Sequence, residues 1–383
     1  MQIEQKKWTK QEGWVNISKH PLKKKPQLVF AFGGRTVVSQ KKLTDTVMSW
    51  YPTAQVVFCS TAGEILDNEV LDDSLSVTAI NFEKTKIQAI QADIKNAKQS
   101  KEAGAALGKA LTKKGLCHVM VFSEGLKING TELVEGIVSQ LPQGVAVTGG
   151  LVGDGADFKK TVVGLNQVPA SGKLVVIGFY GENIRIGFGS LGGWDTFGPD
   201  RIITKSDGNV LYELDNTPAL DLYTKYLGDK AEGLPATGLL FPLQIHMPNQ
   251  QTNEARIVRT ILAIDKEKKS LTFAGNIPQG SHAQLMKANF DRLVDGAEGA
   301  ASMSIKGLGK SKPELAILIS CVGRKLVLKS RTEEEIMAVR DIVGKDTAIT
   351  GFYSYGELCP TAASEHQCQL HNQTMTITTF REI

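Results

Sequence analysis

The run Gly351-Phe352-Tyr353-Ser354-Tyr355-Gly356-Glu357 leaves an apolar segment, Ala348-Ile349-Thr350, and is followed shortly by His371-Asn372-Gln373-Thr374. It gathers glycines, aromatics, an acid and a histidine, more polar chemistry than a bare strand–turn–strand needs. Upstream stands an apolar strand, Leu315-Ala316-Ile317-Leu318-Ile319. A helix follows, signalled by the capping-box pair Thr332 and Glu335, a stripe of Ile336, Val339 and Val343, and a stop at Gly344. The unit is strand–helix–strand and ends in Gly-Glu.

The same script is written twice more. Leu28-Val29-Phe30-Ala31-Phe32 leads to a helix with Leu43, Val47 and Trp50 on one face, a break at Pro52, and Val56-Val57-Phe58 running into Cys59-Ser60-Thr61-Ala62-Gly63-Glu64. Val119-Met120-Val121-Phe122 leads to Leu133, Ile137 and Leu141, a break at Pro142, and Val145-Ala146-Val147 entering Thr148-Gly149-Gly150-Leu151-Val152-Gly153-Asp154. Such crossovers set their two strands parallel with the helix on one face of the sheet. Open α/β sheets build ligand sites at the carboxyl ends of such strands. The expected fold class is therefore α/β, with repeated strand–helix–strand units in largely parallel or mixed sheets. Glu64, Asp154 and Glu357 are expected at strand exits around one pocket.

Strand character recurs over residues 75–82, 161–166, 174–180, 184–188, 239–246, 256–264, 271–274 and 374–380. Thr217-Pro218 opens a further helix through Leu220, Tyr223 and Leu227. The reading is a basic tail over 1–25 and two related halves, 26–215 and 216–383, with the junction in the 209–218 segment.

At 383 residues the chain is long enough for two domains or one with internal repetition. The net charge of +4 is small, and its lysines gather at Lys6, Lys7 and Lys23 to Lys25. That pattern describes a solvated tail, not a nucleic-acid stripe. No apolar run nears the roughly 18 residues that would span a bilayer, and residues 1–7 lack the apolar core of a signal peptide. Five cysteines leave at least one unpaired, which favours a reducing cytoplasm.

Common catalytic motifs fail on spacing. Gly149, Gly150, Gly153 and Gly155 follow a strand but lack the G-x-G-x-x-G order and the helix that would cradle a phosphate. Gly309-Lys310-Ser311 ends like a P-loop, but Ser304 stands where its first glycine belongs. No G-x-S-x-G elbow is present. A nucleophilic Cys59 or Cys321 has no base at useful spacing, so the chain is read as a non-enzyme.

Ligand-binding candidates remain. Cys359, Cys368 and His371, with Cys321 from a strand exit, offer thiolates and an imidazole for zinc or an iron–sulfur cluster. Buried, unliganded cysteine is the commoner fate of such residues. His246 and His282 are candidates for an axial haem ligand, against the plainer reading of packed or exposed histidines. Arg324, in Ser320-Cys321-Val322-Gly323-Arg324, suits a ligand carboxylate or, equally, a structural pair with Glu357.

Taken together, Cys59 to Ile65, Gly150 to Gly155, Gly193-Trp194, Leu211 to Tyr223, Ser320 to Arg324, Gly351 to Glu357 and His371 to Thr374 resemble the FIST (F-box and intracellular signal transduction) family, from about Pro26 onward. The resemblance implies a cytoplasmic small-ligand sensor with FIST N and FIST C halves. A stand-alone bacterial member is similar to the nitric-oxide-sensing branch, which implies haem b and a partner histidine kinase acting on cyclic-di-GMP and biofilm signalling. Amino acids are a ligand class proposed for the family, and a second copy of the chain, as a homodimer, is a further candidate partner. The expected ligand site takes Glu64, Asp154, Glu357 and His371 as polar groups, Trp194, Tyr353 and Tyr355 as walls, and Arg324 as the anchor of an acidic group.

Overall fold

The computed structural model describes residues 1–18, 21–246, 257–360 and 368–383. His20 and Met247 lie outside them. A hairpin, β1 (Gln2–Thr9) and β2 (Gly13–Asn16), precedes the first unit: β3 (Leu28–Gly34), α1 (Arg35–Val38), α2 (Lys41–Trp50) and β4 (Gln55–Thr61). The short β5 (Glu64–Leu66) and β6 (Glu69–Leu71) follow, then β7 (Leu75–Asn81) and β8 (Lys86–Asp93). The second unit runs α3 (Ser100–Ala110), β9 (Leu116–Ser123), α4 (Gly130–Val138), β10 (Ala146–Leu151), β11 (Val163–Leu165), β12 (Lys173–Tyr180) and β13 (Ile184–Leu191).

A lobe comes next, with β14 (Trp194–Asp207), β15 (Val210–Leu214), β16 (Thr217–Pro218), α5 (Ala219–Leu227), β17 (Leu243–His246), β18 (Ile257–Arg259), β19 (Ile261–Asp265), β20 (Ser270–Phe273) and β21 (His282–Ala288). The third unit closes the chain: α6 (Phe290–Lys306), β22 (Leu315–Cys321), α7 (Val322–Leu328), α8 (Thr332–Val343), β23 (Ala348–Ser354), β24 (Gly356–Pro360), β25 (Cys368–His371) and β26 (Met375–Glu382).

The three units build three six-stranded mixed sheets, ordered β11-β4-β3-β7-β1-β2, β25-β24-β10-β9-β12-β8 and β6-β5-β23-β22-β26-β13. Each has one parallel pair, β3/β4, β9/β10 or β22/β23, and the strand after the crossover is exchanged in a ring. Unit one sends β5 to β23 of unit three, unit three sends β24 to β10 of unit two, and unit two sends β11 to β4 of unit one. This shared topology supports internal repetition, and the exchange makes each unit depend on the next.

The inner faces of all three sheets meet in one apolar core. Phe32, Phe122 and Phe352, one from each sheet, form a triangle with ring centroids 4.9 to 6.2 Å apart. Alternation in β3 and β9 aims these rings inward, while their neighbours Ala31 and Val121 face outward toward the helical layers. The segment 209–218, read as the junction, lies inside the lobe's sheet, where β15 pairs with β14, β16 and β20.

Residues 2–16 of the expected tail form a paired hairpin. β1 adds antiparallel to β7, and Trp14 of β2 meets Trp50 edge-on at 4.5 Å. Trp50 is therefore not a core residue but an exposed one that the hairpin partly covers, with Lys6 Nζ 5.7 Å above its ring. Lys6 and Lys7 sit on a sheet whose pairing partner is some 70 residues away, which a local reading of charge misses, while Lys23 to Lys25 are exposed outside the strands. Trp14→Ala is expected to lower stability by about 1–2 kcal/mol, from the aromatic pair and its buried area. Urea denaturation followed by tryptophan fluorescence checks it. No described helix is long and apolar enough to cross a membrane.

Candidate functional site

The ring exchange brings the three exits together. Gly155 N–H donates to Thr61 O at 3.0 Å, Ala62 N–H to Tyr353 O at 2.8 Å, and Tyr355 N–H to Leu151 O at 2.8 Å, so each unit's exit is bonded to the next. Above this junction opens a cleft of about 310 Å³. Its lining includes Glu64, Asp72, Asp73, Asp154 and Asp157, faced by the single guanidinium of Arg35. At the rim, Lys325 Nζ donates to Ala62 O at 3.1 Å and pairs with Asp72.

Glu64 begins β5 and is fully buried. Its Oε1 meets Thr61 Oγ1, and its Oε2 accepts from Ser74 N–H at 3.1 Å and Ser74 Oγ–H at 2.5 Å. Desolvation outweighs these bonds and pushes the carboxyl up to about 7. Asp154 is held by N–H groups of Lys159 and Lys160 at 3.0 and 2.8 Å and by the Tyr355 hydroxyl. Tyr355 stacks on Phe158 at 4.3 Å, so the tyrosine shapes the cleft through Asp154. Arg35 Nε lies 3.6 Å from Asp154 Oδ2, is buried, and makes no hydrogen bond.

The other expected ligand residues lie elsewhere. Tyr353 turns its hydroxyl to Glu335 Oε1 at 2.5 Å. Glu357, fully buried, repeats the Glu64 arrangement: Oε1 meets Ser354 Oγ at 2.6 Å, and Oε2 accepts from Thr374 N–H and Oγ1–H at 3.2 and 3.0 Å. Burial pushes it up to about 8. Trp194 donates its Nε1–H to Gln373 O at 3.1 Å, where the lobe meets the third unit. His371 Nε2 bonds Cys359 O at 3.0 Å, and burial holds the imidazole down at about 4.

Arg324 belongs to neither expected role. It is fully buried in α7; Nε and Nη2 donate to Glu335 Oε2 at 3.0 and 2.8 Å, Nη1 to Gly192 O at 3.0 Å, and Nη2 to Leu293 O at 2.6 Å. A guanidinium so committed is not the anchor of a ligand acid, and its carboxylate partner is Glu335, not Glu357. Glu335 in turn is not a capping-box acid. The Thr332 hydroxyl donates to Lys329 O, and Glu335 points inward because the buried cation needs a counter-charge.

Among the described residues, Cys321, Cys359, Cys368 and His371 are not gathered at metal-ligand spacing. Cys321 ends β22 beside Glu357, whereas Cys359, Cys368 and His371 lie on the β24–β25 hairpin, exchanged into another sheet. Cys321, Cys359 and Cys368 are buried, as is Cys59, and desolvation pushes their thiols up, so none is an activated nucleophile. His246 and His282, offered as separate candidates, are instead one site: they are cross-strand partners on β17 and β21, and both face Asp200.

Sequence reading missed Arg35, Asp72, Asp73 and Asp157. Arg35 was findable, since Gly33-Gly34-Arg35 leaves the first parallel strand as Gly63-Glu64 leaves the second. Asp72 and Asp73 enter because β5 and β6 cross between units, which no local signal announces.

No curated protein matches the chain by sequence. Among solved structures, the cyanuic acid hydrolase from A. caulinodans is similar over 93% of this chain and 90% of its own, at 8% identity and a TM-score of 0.33. That likeness is too loose to carry an argument about site or activity. The FIST N domain pattern matches residues 27–217 and the FIST C domain pattern residues 219–360. The chain therefore belongs to the FIST family, whose domains are small-ligand sensors in signal transduction.

Proposed function

We propose that the protein is a non-catalytic, cytoplasmic sensor whose ligand is an amino acid or similar zwitterion held in the cleft between the first and second exits. The observation that carries this is a carboxylate-rich lining with one guanidinium in it, Arg35, which faces Asp154 and Asp157 at 3.6 and 3.4 Å. An ammonium group matches Asp72, Asp73, Asp154 and Asp157, and a carboxylate matches Arg35. Because the cleft rests on backbone bonds between all three units, occupancy favours one packing of the ring over others. A partner histidine kinase would read that shift in population.

A second reading, haem b with nitric oxide as the signal, rests on His246 and His282. An axial imidazole must present its nitrogen across an open porphyrin face. His246 Nε2 and His282 Nδ1 face one carboxylate between them, at 3.3 and 2.7 Å, an arrangement in which an imidazole takes an iron through its other nitrogen. The amino-acid reading stands ahead of it.

Thermal-shift screening of the purified chain separates the two. α-Amino acids are expected to raise the melting temperature by several degrees at millimolar concentration, and dicarboxylic acids without an amine are not. A Soret band after haem addition, with no shift from any amino acid, would overturn the cleft reading.

A further inference from the structure

We propose that Asp200, His246 and His282 form a binding site for a divalent transition-metal ion of the zinc class. The side-chain ligand atoms of the three residues all lie within 4.8 Å of one another, the one group of its kind among the described residues. His246 Nε2 is 3.3 Å from Asp200 Oδ1 and His282 Nδ1 is 2.7 Å from Asp200 Oδ2. The imidazole rings stand 5.3 Å apart. Two ligands of a tetrahedral zinc ion, each about 2.0–2.1 Å from it, are separated by about 3.3 Å. Small side-chain adjustments bring this trio to that spacing.

The backbone fixes the arrangement. His246 and His282 are directly paired across β17 and β21, inside a sheet and not on a loop. Asp200 sits in a bulge of β14, where Gly198, Pro199 and Asp200 lie opposite the single residue Gln284. Gln284 Nε2 donates to Gly198 O at 2.8 Å and closes the bulge. On the far side, Arg201 is tied to Asp215 at 2.9 Å and to the Tyr226 hydroxyl. Bulges of this kind re-aim a side chain, and here the re-aimed one is the carboxylate that completes the set.

Two imidazoles and one carboxylate suit zinc or ferrous iron and leave coordination positions open. The three side chains are 40%, 16% and 27% exposed, so an ion can enter and its open positions face solvent. The group is separate from the acid cleft and from the buried cysteines, and it stands whether or not the cleft binds an amino acid.

The test is titration of the chelator-treated full chain with Co²⁺, whose visible absorption reports bound imidazole and carboxylate. A band saturating at one equivalent and displaced by Zn²⁺ is expected. His282→Ala and Asp200→Asn should each weaken binding at least tenfold, while Cys368→Ser leaves it unchanged. The Asp200→Asn variant keeps side-chain size, so its loss of binding cannot come from misfolding if its melting curve is retained. The proposal is overturned by the absence of a saturable band, by undiminished binding in both variants, or by loss of the band in Cys368→Ser.

Discussion

Arg324→Ala is expected to destabilise the protein by about 3–5 kcal/mol, because it leaves a buried carboxylate without its counter-charge. Arg324 and Glu335 are both fully buried, and the guanidinium also satisfies Gly192 O and Leu293 O. Glu335 further accepts from Ser320 Oγ–H at 3.3 Å and from the Tyr353 hydroxyl. Removing the arginine therefore strands one charge and two carbonyls at the point where α6, α7, α8 and β23 meet. Arg324→Met/Glu335→Met is expected to recover much of the loss, since a buried ion pair replaced by apolar groups of similar volume is often close to neutral. Chemical denaturation of the two variants measures both effects. An Arg324→Ala protein of wild-type stability but weakened ligand binding would restore the sequence-based role of a ligand anchor.

The second large effect is on pH. Glu64 and Glu357 are raised in the fold to about 7 and about 8. A carboxyl raised on folding contributes stability that is present below its unfolded value and lost as pH rises through the folded one. The buried imidazoles His118 and His371, held at about 3 and about 4, act in the opposite sense but only below their unfolded value of about 6.5. Glu382, lowered to about 2 by the N–H groups of residues 83–85, acts lower still. Between pH 6.5 and 8 the two glutamates decide the slope. Stability is expected to fall by about 2 kcal/mol across that window, at 1.36 kcal/mol per pH unit for each proton.

The geometry also says where each proton sits. Ser74 N–H and Thr374 N–H occupy the Oε2 atoms, so the proton lies on Oε1, toward Thr61 or Ser354. Glutamine reproduces that state, with its carbonyl on Thr374 N–H and its amide on Ser354 Oγ. Glu357→Gln is therefore expected to remain folded and to flatten most of the slope in denaturation curves taken at pH 6.5, 7.2 and 8.0. A slope as steep as that of wild type would show that Glu357 is not the group being discharged.

The strand–helix–strand units were visible in the sequence because each is local: an apolar run, a stripe at helical spacing, a Pro or Gly break and a second apolar run. The gathering of Glu64 and Asp154 followed from the rule that parallel strands present their carboxyl ends together, and the structure places both in one cleft. What failed was non-local. Nothing near Glu335 says that its partner is Arg324, and a capping box has the same local spelling. Cys321 and Cys368 look close in a list of metal ligands but leave the chain into different sheets. His246 and His282 are 36 positions apart in sequence and adjacent only because β17 and β21 pair in register. Pairing in sheets is set by partners far along the chain, and ring exchange of strands among three units places most of those partners beyond any local window.

The most direct test of the cleft is calorimetric titration of the amino acid that gives the largest thermal shift against wild type, Arg35→Met and Asp154→Asn, with Glu357→Gln as the control. A tenfold or greater loss of affinity in both cleft variants, with Glu357→Gln within twofold of wild type, is the expected result. Unchanged affinity in both cleft variants would contradict it and place the ligand elsewhere in the molecule.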